Sequence, residues 1–316
     1  MKRIYSILIS FFLFQFLNAQ YEGYSEDSWN DQLKIEESLL KNIDKTSFKK
    51  HLKKLTERPH VVGSKGNQEV IRYIGEVMQL AGMKVTNYPY DVYLPKNPGT
   101  SLIEIVTPNR DVLNQKEDII ENDPYTKDPE LWKGWNAFSG SGDVTAEVVY
   151  ANYGRKEDFE TLKSLGIDVS GKIVIARYGG NFRGYKAKFA EANGASGLII
   201  YTDPQDSGFT KGLVYPNGPY YNSSTIQRGS LLTTDFTGDP LTPFEPALPL
   251  DGKEKIERID PKNAQLHTIP VSPIGYGEAE KILSQMNGDP VPQSWQGGLP
   301  FTYRLQGGSS LTVRLK

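Results

Sequence analysis

Two short apolar runs constrain this chain more than anything else in it. Ile173, Val174 and Ile175 make the middle of one, at residues 172–177. Leu198, Ile199 and Ile200 make the other, at 198–201. Neither run alternates with polar residues, so each reads as a buried strand. Between them lie a loop with Gly179, Gly180 and Gly184 and a helical segment, 185–192, ended by Gly194. Strand, glycine-rich loop, helix and strand in that order make a crossover unit. Residues 144–150 read as another strand and 156–165 as a short helix with Phe159 and Leu162 inward. Residues 277–286 read as a further helix. The expected fold class is therefore α/β with α+β mixing: a central β-sheet or sandwich with flanking helices.

The chain of 316 residues suffices for one large or two ordinary domains. Its net charge of −2 gives no electrostatic footprint for nucleic acid or an anionic membrane, so neither is an expected partner. The N-terminus reads as an export signal, with Lys2 and Arg3 ahead of an apolar run at 4–17. Ala19 offers a cleavage site that leaves Gln20 first and no membrane span thereafter. Export would permit disulfides, yet the chain has no cysteine. A secreted or periplasmic location is expected.

Residues 20–44 are polar and acidic and are expected to form a poorly ordered leader. Thr46 and Ser47 are candidate N-caps of a first helix carrying Phe48, Leu52 and Leu55 on one face. A second helix is expected over 67–81. Val70, Ile71, Ile74, Val77, Met78 and Ala81 keep its 3.6-residue period, and Gly82 follows as the C′ glycine. Residues 83–93 alternate as a strand. This unit is apolar on one face and implies a packing partner. Residues 205–246 are rich in loops. Residues 310–315 alternate as a last strand with nothing after it to cover the sheet.

Several segments, in order, resemble the glutamate carboxypeptidase II (folate hydrolase) family. They include Ala137-Phe138-Ser139, Glu157-Asp158-Phe159, Ile175-Ala176-Arg177-Tyr178-Gly179, Phe182-Arg183-Gly184, Tyr201-Thr202-Asp203-Pro204, Gln227-Arg228-Gly229 and Gly238-Asp239-Pro240-Leu241-Thr242-Pro243. That family comprises M28-type two-zinc exopeptidases, with the transferrin receptor a non-catalytic relative. The loop from Arg58 to Ser64 looks like the one before a helix in zinc exopeptidases. The resemblance implies that 45–93 forms the N-terminal edge of an incomplete peptidase α/β domain. It makes 94–316 an inserted protease-associated, or apical, domain.

The resemblance also implies site residues. The arginine of the family's Phe-Arg-Gly motif grips a substrate carboxylate, and here that is Arg183. Taken bare, Arg183 reads as a solvated or structural arginine. Its guanidinium fork nonetheless suits a carboxylate bidentately. Where the family's glutamate carboxypeptidases place an asparagine after Gln-Arg-Gly, this chain has Ser230. That departure puts strict selection of C-terminal glutamate in doubt. Thr242 matches a family calcium ligand, and Glu245 stands where an aromatic ligand would be. The family's zinc ligands would fall beyond Lys316. Within the chain, His51, His60 and His267 lack partners at metal-ligand spacing and read as structural or solvated.

Two functions remain open on this reading. The chain is the N-terminal piece of a secreted zinc metallocarboxypeptidase, supplying a lid over a di-zinc site in a missing catalytic half and inactive alone. Its substrate would be a peptide with a free C-terminal carboxylate. Alternatively it is a non-catalytic secreted module that binds a partner through this domain. Zinc motifs in the downstream coding sequence would favour the first.

Overall fold

The computed structural model describes residues 23–316. The expected export signal and its cleavage position at Ala19 lie outside the described residues. The chain divides into two compact units, one up to Glu57 and one from Arg58 to Lys316.

The first unit holds α1 (Glu26–Lys41) and α2 (Lys45–Thr56). Helix α1 replaces the poorly ordered leader expected there. Its start is a reciprocal cap: the Ser28 N–H donates to the Ser25 hydroxyl at 3.3 Å, and the Ser25 N–H donates to the Ser28 hydroxyl at 2.8 Å. Polar composition masked this helix, because caps and i,i+4 pairs such as Gln32–Glu36 need no apolar stripe. Helix α2 is capped by Asp44, not by Thr46 or Ser47. The Asp44 carboxylate accepts the N–H groups of both, at 2.9 and 3.2 Å.

The second unit opens with α3 (Lys65–Leu80), capped by the Ser64 hydroxyl. Its end is a Schellman turn on Gly82: the Gly82 N–H reaches Gln79 O and the Met83 N–H reaches Met78 O. Ile71, Ile74 and Met78 on its apolar face remain 39–43% exposed. The strand expected over 83–93 does not form. That segment runs without a ladder, making only scattered bonds such as Asp91 N–H to Ala247 O. Alternation is necessary for a half-buried strand, but a neighbouring backbone is what completes one.

The remaining elements are β1 (Ile103–Thr107), β2 (Asp111–Val112), β3 (Asn136–Ala137), β4 (Val144–Tyr150), α4 (Lys156–Ser164), β5 (Ile173–Arg177), α5 (Arg183–Ala192), β6 (Gly197–Tyr201), α6 (Pro204–Ser207), β7 (Gly229–Ser230), β8 (Gly238–Asp239), β9 (Thr242–Pro243), β10 (Val271–Ile274), α7 (Tyr276–Leu283) and β11 (Thr312–Leu315). Seven strands form one mixed sheet in the order β10-β6-β5-β4-β11-β1-β2. β4, β5, β6 and β10 are parallel, and β11 pairs antiparallel with both β4 and β1. Helices α4 and α5 are the crossovers β4-α4-β5 and β5-α5-β6, as the apolar runs required. Ile173, Val174, Ile175, Leu198, Ile199 and Ile200 are all fully buried. Phe159 and Leu162 turn inward from α4.

The last strand differs most from its sequence reading. β11 is an interior strand, not an uncovered edge. Val313 and Leu315 are 0% and 1% exposed. Their register is Val313 opposite Ala146 on one side and Ile105 on the other.

Candidate functional site at the start of helix α5

The two crossovers bring the carboxyl ends of β4 and β5 and the starts of α4 and α5 to one edge of the sheet. In open α/β sheets that edge is where side chains and backbone donors converge on ligands. Arg183 is the first residue of α5. Phe182, at the N-cap, gives the helix no side-chain hydrogen bond.

The first turn of α5 lies directly on the chain at 229–233. A Cβ at Gly184 would sit 2.2 Å from Leu231 O and 2.6 Å from Thr233 Cγ2. A Cβ at Gly229 would sit 2.3 Å from Arg183 Nη1. Backbone blocks any Cβ at Gly184, and at Gly229 a Cβ would displace the guanidinium from a position whose φ is +153°. Thus the glycines of Phe-Arg-Gly and Gln-Arg-Gly serve one contact: they let the Arg183 guanidinium approach the β7 backbone closely.

That backbone is itself fixed. β7 pairs parallel with β3, Gly229 opposite Asn136 and Ser230 opposite Ala137. Asn136 is buried, and its amide Nδ2 donates to Tyr178 Oη at 3.1 Å and Gly229 O at 3.2 Å. The Tyr178 hydroxyl donates to Gln227 O at 2.8 Å. Burial pushes the Tyr178 phenol up to about 12, so it stays a donor at neutral pH.

The structure therefore brings Arg183 and Ser230 together. Arg183 Nη1 lies 3.4 Å from Ser230 O, and the guanidinium stands over the Phe182 and Tyr178 rings at 5.4 and 5.8 Å. The Ser230 hydroxyl accepts the Leu232 N–H at 3.0 Å. Arg183 Nε is buried and unpartnered. Among the described residues no carboxylate pairs with Arg183. Its neighbours differ. Arg228 is held by Glu117 and Trp132 O, and Arg177 by Asn152 and Asp206. A part-buried guanidinium without a counter-charge is poised to accept an anion.

Thr242 and Glu245 fall elsewhere, on the β8–β9 hairpin and its exit. Thr242 is buried with its hydroxyl unpartnered, whereas Glu245 is exposed and only its N–H meets Thr242 O. Calcium takes six to eight oxygens, and these two do not assemble a ligand set. No group of three or more His, Cys, Asp or Glu among the described residues could hold a metal ion. His60 Nδ1 lies 3.1 Å from Arg58 O. His267 is wedged between Glu191 and Leu231 O, which makes it a brace between α5 and the 231–233 segment. No helix among the described residues is long and apolar enough to cross a membrane.

Sequence reasoning missed Asn136, Tyr178 and Lys186. Their signals were faint: one amide, one tyrosine and one lysine in polar surroundings. Lys186, on α5, is fully buried. Its ammonium donates to Gly179 O and Asn181 Oδ1, both at 2.7 Å, and to Tyr153 O. Burial pulls it below the usual lysine value, Asp158 and Asp206 opposing and Arg155 and Arg177 assisting, while three close oxygens favour the ammonium.

A model of the PA domain matches residues 144–234. The chain is 33% identical over 342 aligned positions to a glutamate carboxypeptidase 2 homolog of Caenorhabditis briggsae, covering all of this chain and 44% of that protein. It is 32% identical to the aminopeptidase NAALADL1 of Rattus norvegicus, over 88% of this chain and 38% of that one. The chain thus spans less than half the length of these relatives. Among solved structures, a zinc aminopeptidase from Bacillus subtilis aligns with 84% of this chain and 42% of its own at 15% identity and a TM-score of 0.35.

Proposed function

We infer, for a chain that belongs to the PA-domain-bearing glutamate carboxypeptidase-like family of peptidases, that it supplies the surface reading a peptide's C-terminal carboxylate. The observation that carries this is Arg183: a part-buried guanidinium, seated by Gly184 and Gly229, that no acidic side chain of the described residues neutralises. The fork would take both carboxylate oxygens, and the uncapped start of α5 adds a favourable dipole. The fixed backbone of β7 keeps the fork aimed, so little order is lost on binding.

Hydrolysis in such a peptidase would draw on zinc, which polarises the scissile carbonyl and activates water. The described residues offer no group of three or more His, Cys, Asp or Glu that fits a zinc centre. The share we assign to this chain is to bind and orient the substrate. Residues 45–93 fit the edge of a peptidase domain, the exposed face of α3 being its docking side, and 94–316 fit the apical lid. The basic residues Lys2 and Arg3 before an apolar run support export.

Ser230 sets the finer preference. Its hydroxyl is shorter than an asparagine amide and is already engaged with Leu232 N–H. Ser230→Asn is expected to raise the preference for C-terminal glutamate over C-terminal alanine by about tenfold. The measurement is kcat/KM for matched peptides on the protein expressed from its complete gene. An unchanged ratio would remove Ser230 from the substrate-reading surface.

A further inference from the structure

The segment between β5 and α5 is the one that delivers Arg183, and little of it is held by regular structure. Gly179 and Gly180 both have positive φ, +97° and +73°. Asn181 N–H turns back to Gly179 O at 2.8 Å, and the Asn181 side chain only grazes Gly154 O at 3.5 Å. What gathers this segment is one cation. Lys186 lies one helical turn beyond Arg183 and points its ammonium into the loop. Each of its three protons has an oxygen: Gly179 O and Asn181 Oδ1 at 2.7 Å from this loop, and Tyr153 O from the loop after β4.

We propose that Lys186 is the positioning residue for Arg183, a buried ammonium that ties the loops after β4 and β5 to the first turn of α5. The proposal rests on the reading of Arg183 as the carboxylate-binding group. The physical case is geometric. The three protons of the ammonium reach three oxygens of two loops, and Gly179 O takes the Asn181 N–H as well. Two of the oxygens lie within four residues of Arg183. The Tyr153 ring stands 5.9 Å from the Lys186 nitrogen and 4.1 Å from the Arg177 guanidinium, so the clamp also carries the aromatic floor of the loop. A guanidinium misplaced by about an ångström loses much of its carboxylate bond.

The test uses Lys186→Met, Asn181→Ala and Asn181→Asp. Asn181→Ala removes one acceptor, and Asn181→Asp keeps it and adds a charge. Deuterium exchange of the amides at 178–183 reads the clamp directly. It is expected to rise about tenfold in Lys186→Met, less in Asn181→Ala, and to stay near native in Asn181→Asp. On the protein expressed from its complete gene, KM for peptides with a free C-terminal carboxylate should rise in the same order, with kcat held within about twofold and amidated peptides little affected. If Lys186→Met does not fold, the two Asn181 variants decide by their opposite outcomes. Native exchange at 178–183 in Asn181→Ala and in a folded Lys186→Met would overturn the proposal. An Arg183→Ala variant that keeps the preference for free carboxylates would instead overturn the carboxylate reading, and loop exchange would still judge Lys186.

Discussion

Arg183→Ala is expected to lower kcat/KM for peptides with a free C-terminal carboxylate by roughly ten- to over a hundredfold. A hydrogen bond to a charged group contributes about 1.5–3 kcal/mol, and that range sets the span. Amidated peptides should lose far less, because they present no full negative charge to the fork. Arg183→Lys is expected to recover only part of the loss, since a point charge cannot hold two oxygens in one plane. The fold should tolerate both changes. Arg183 makes one long bond, to Ser230 O, and its Nε has no partner to strand. Equal losses for free and amidated peptides would show that Arg183 serves structure alone.

Deleting residues 311–316 is expected to abolish cooperative folding of the unit from Arg58 to Lys316. β11 sits between β4 and β1, so its loss separates one part of the sheet from the other. Leu311, Val313 and Leu315 leave the core with it, each at most 1% exposed. The paired backbone groups of Leu102 and Lys316 lose each other as well. A graded version uses Val313→Ala, which should cost roughly 1–3 kcal/mol through the cavity left behind. Val112→Ala on the edge strand β2, 56% exposed, should cost little. Thermal and denaturant melts followed by far-UV circular dichroism decide the matter. A truncated chain that melts like the native one would refute the interior placement of β11.

The crossover unit was legible because its signals are local. Ile173 to Ile175 and Leu198 to Ile200 form short, β-branched-rich apolar runs flanked by glycine, which favours strands covered on both faces. Phe159 and Leu162 followed from spacing within one short helix. Gly82 and Gly194 were visible as stops because a helix end demands a left-handed residue within one turn. The same locality explains the failures. Alternation over 83–93 states that a strand could form but not which backbone would pair with it. The stretch before Asp44 reads as polar overall, yet the Ser25–Ser28 cap and the helical spacing of Trp29, Leu33 and Leu40 suit a helix.

The site divides in the same way. Phe-Arg-Gly and Gln-Arg-Gly were readable as motifs, and with them the candidacy of Arg183. That Arg183 lies over Gly229 and near Ser230 O depends on segments 47 residues apart meeting across a helix and a strand. That Glu117 pairs with Arg228 depends on a contact between residues 111 positions apart. The sequence alone determined the α/β class and the crossover unit, since each is written within a turn or two of chain, and it offered Arg183 as a candidate only through the resemblance of its motif. Only the tertiary structure decided that β11 is interior, that Lys186 faces the loop and that Arg183 has no counter-charge among the described residues. Strand partners and charge partners are chosen by the free energy of the whole packed arrangement, which no local pattern encodes.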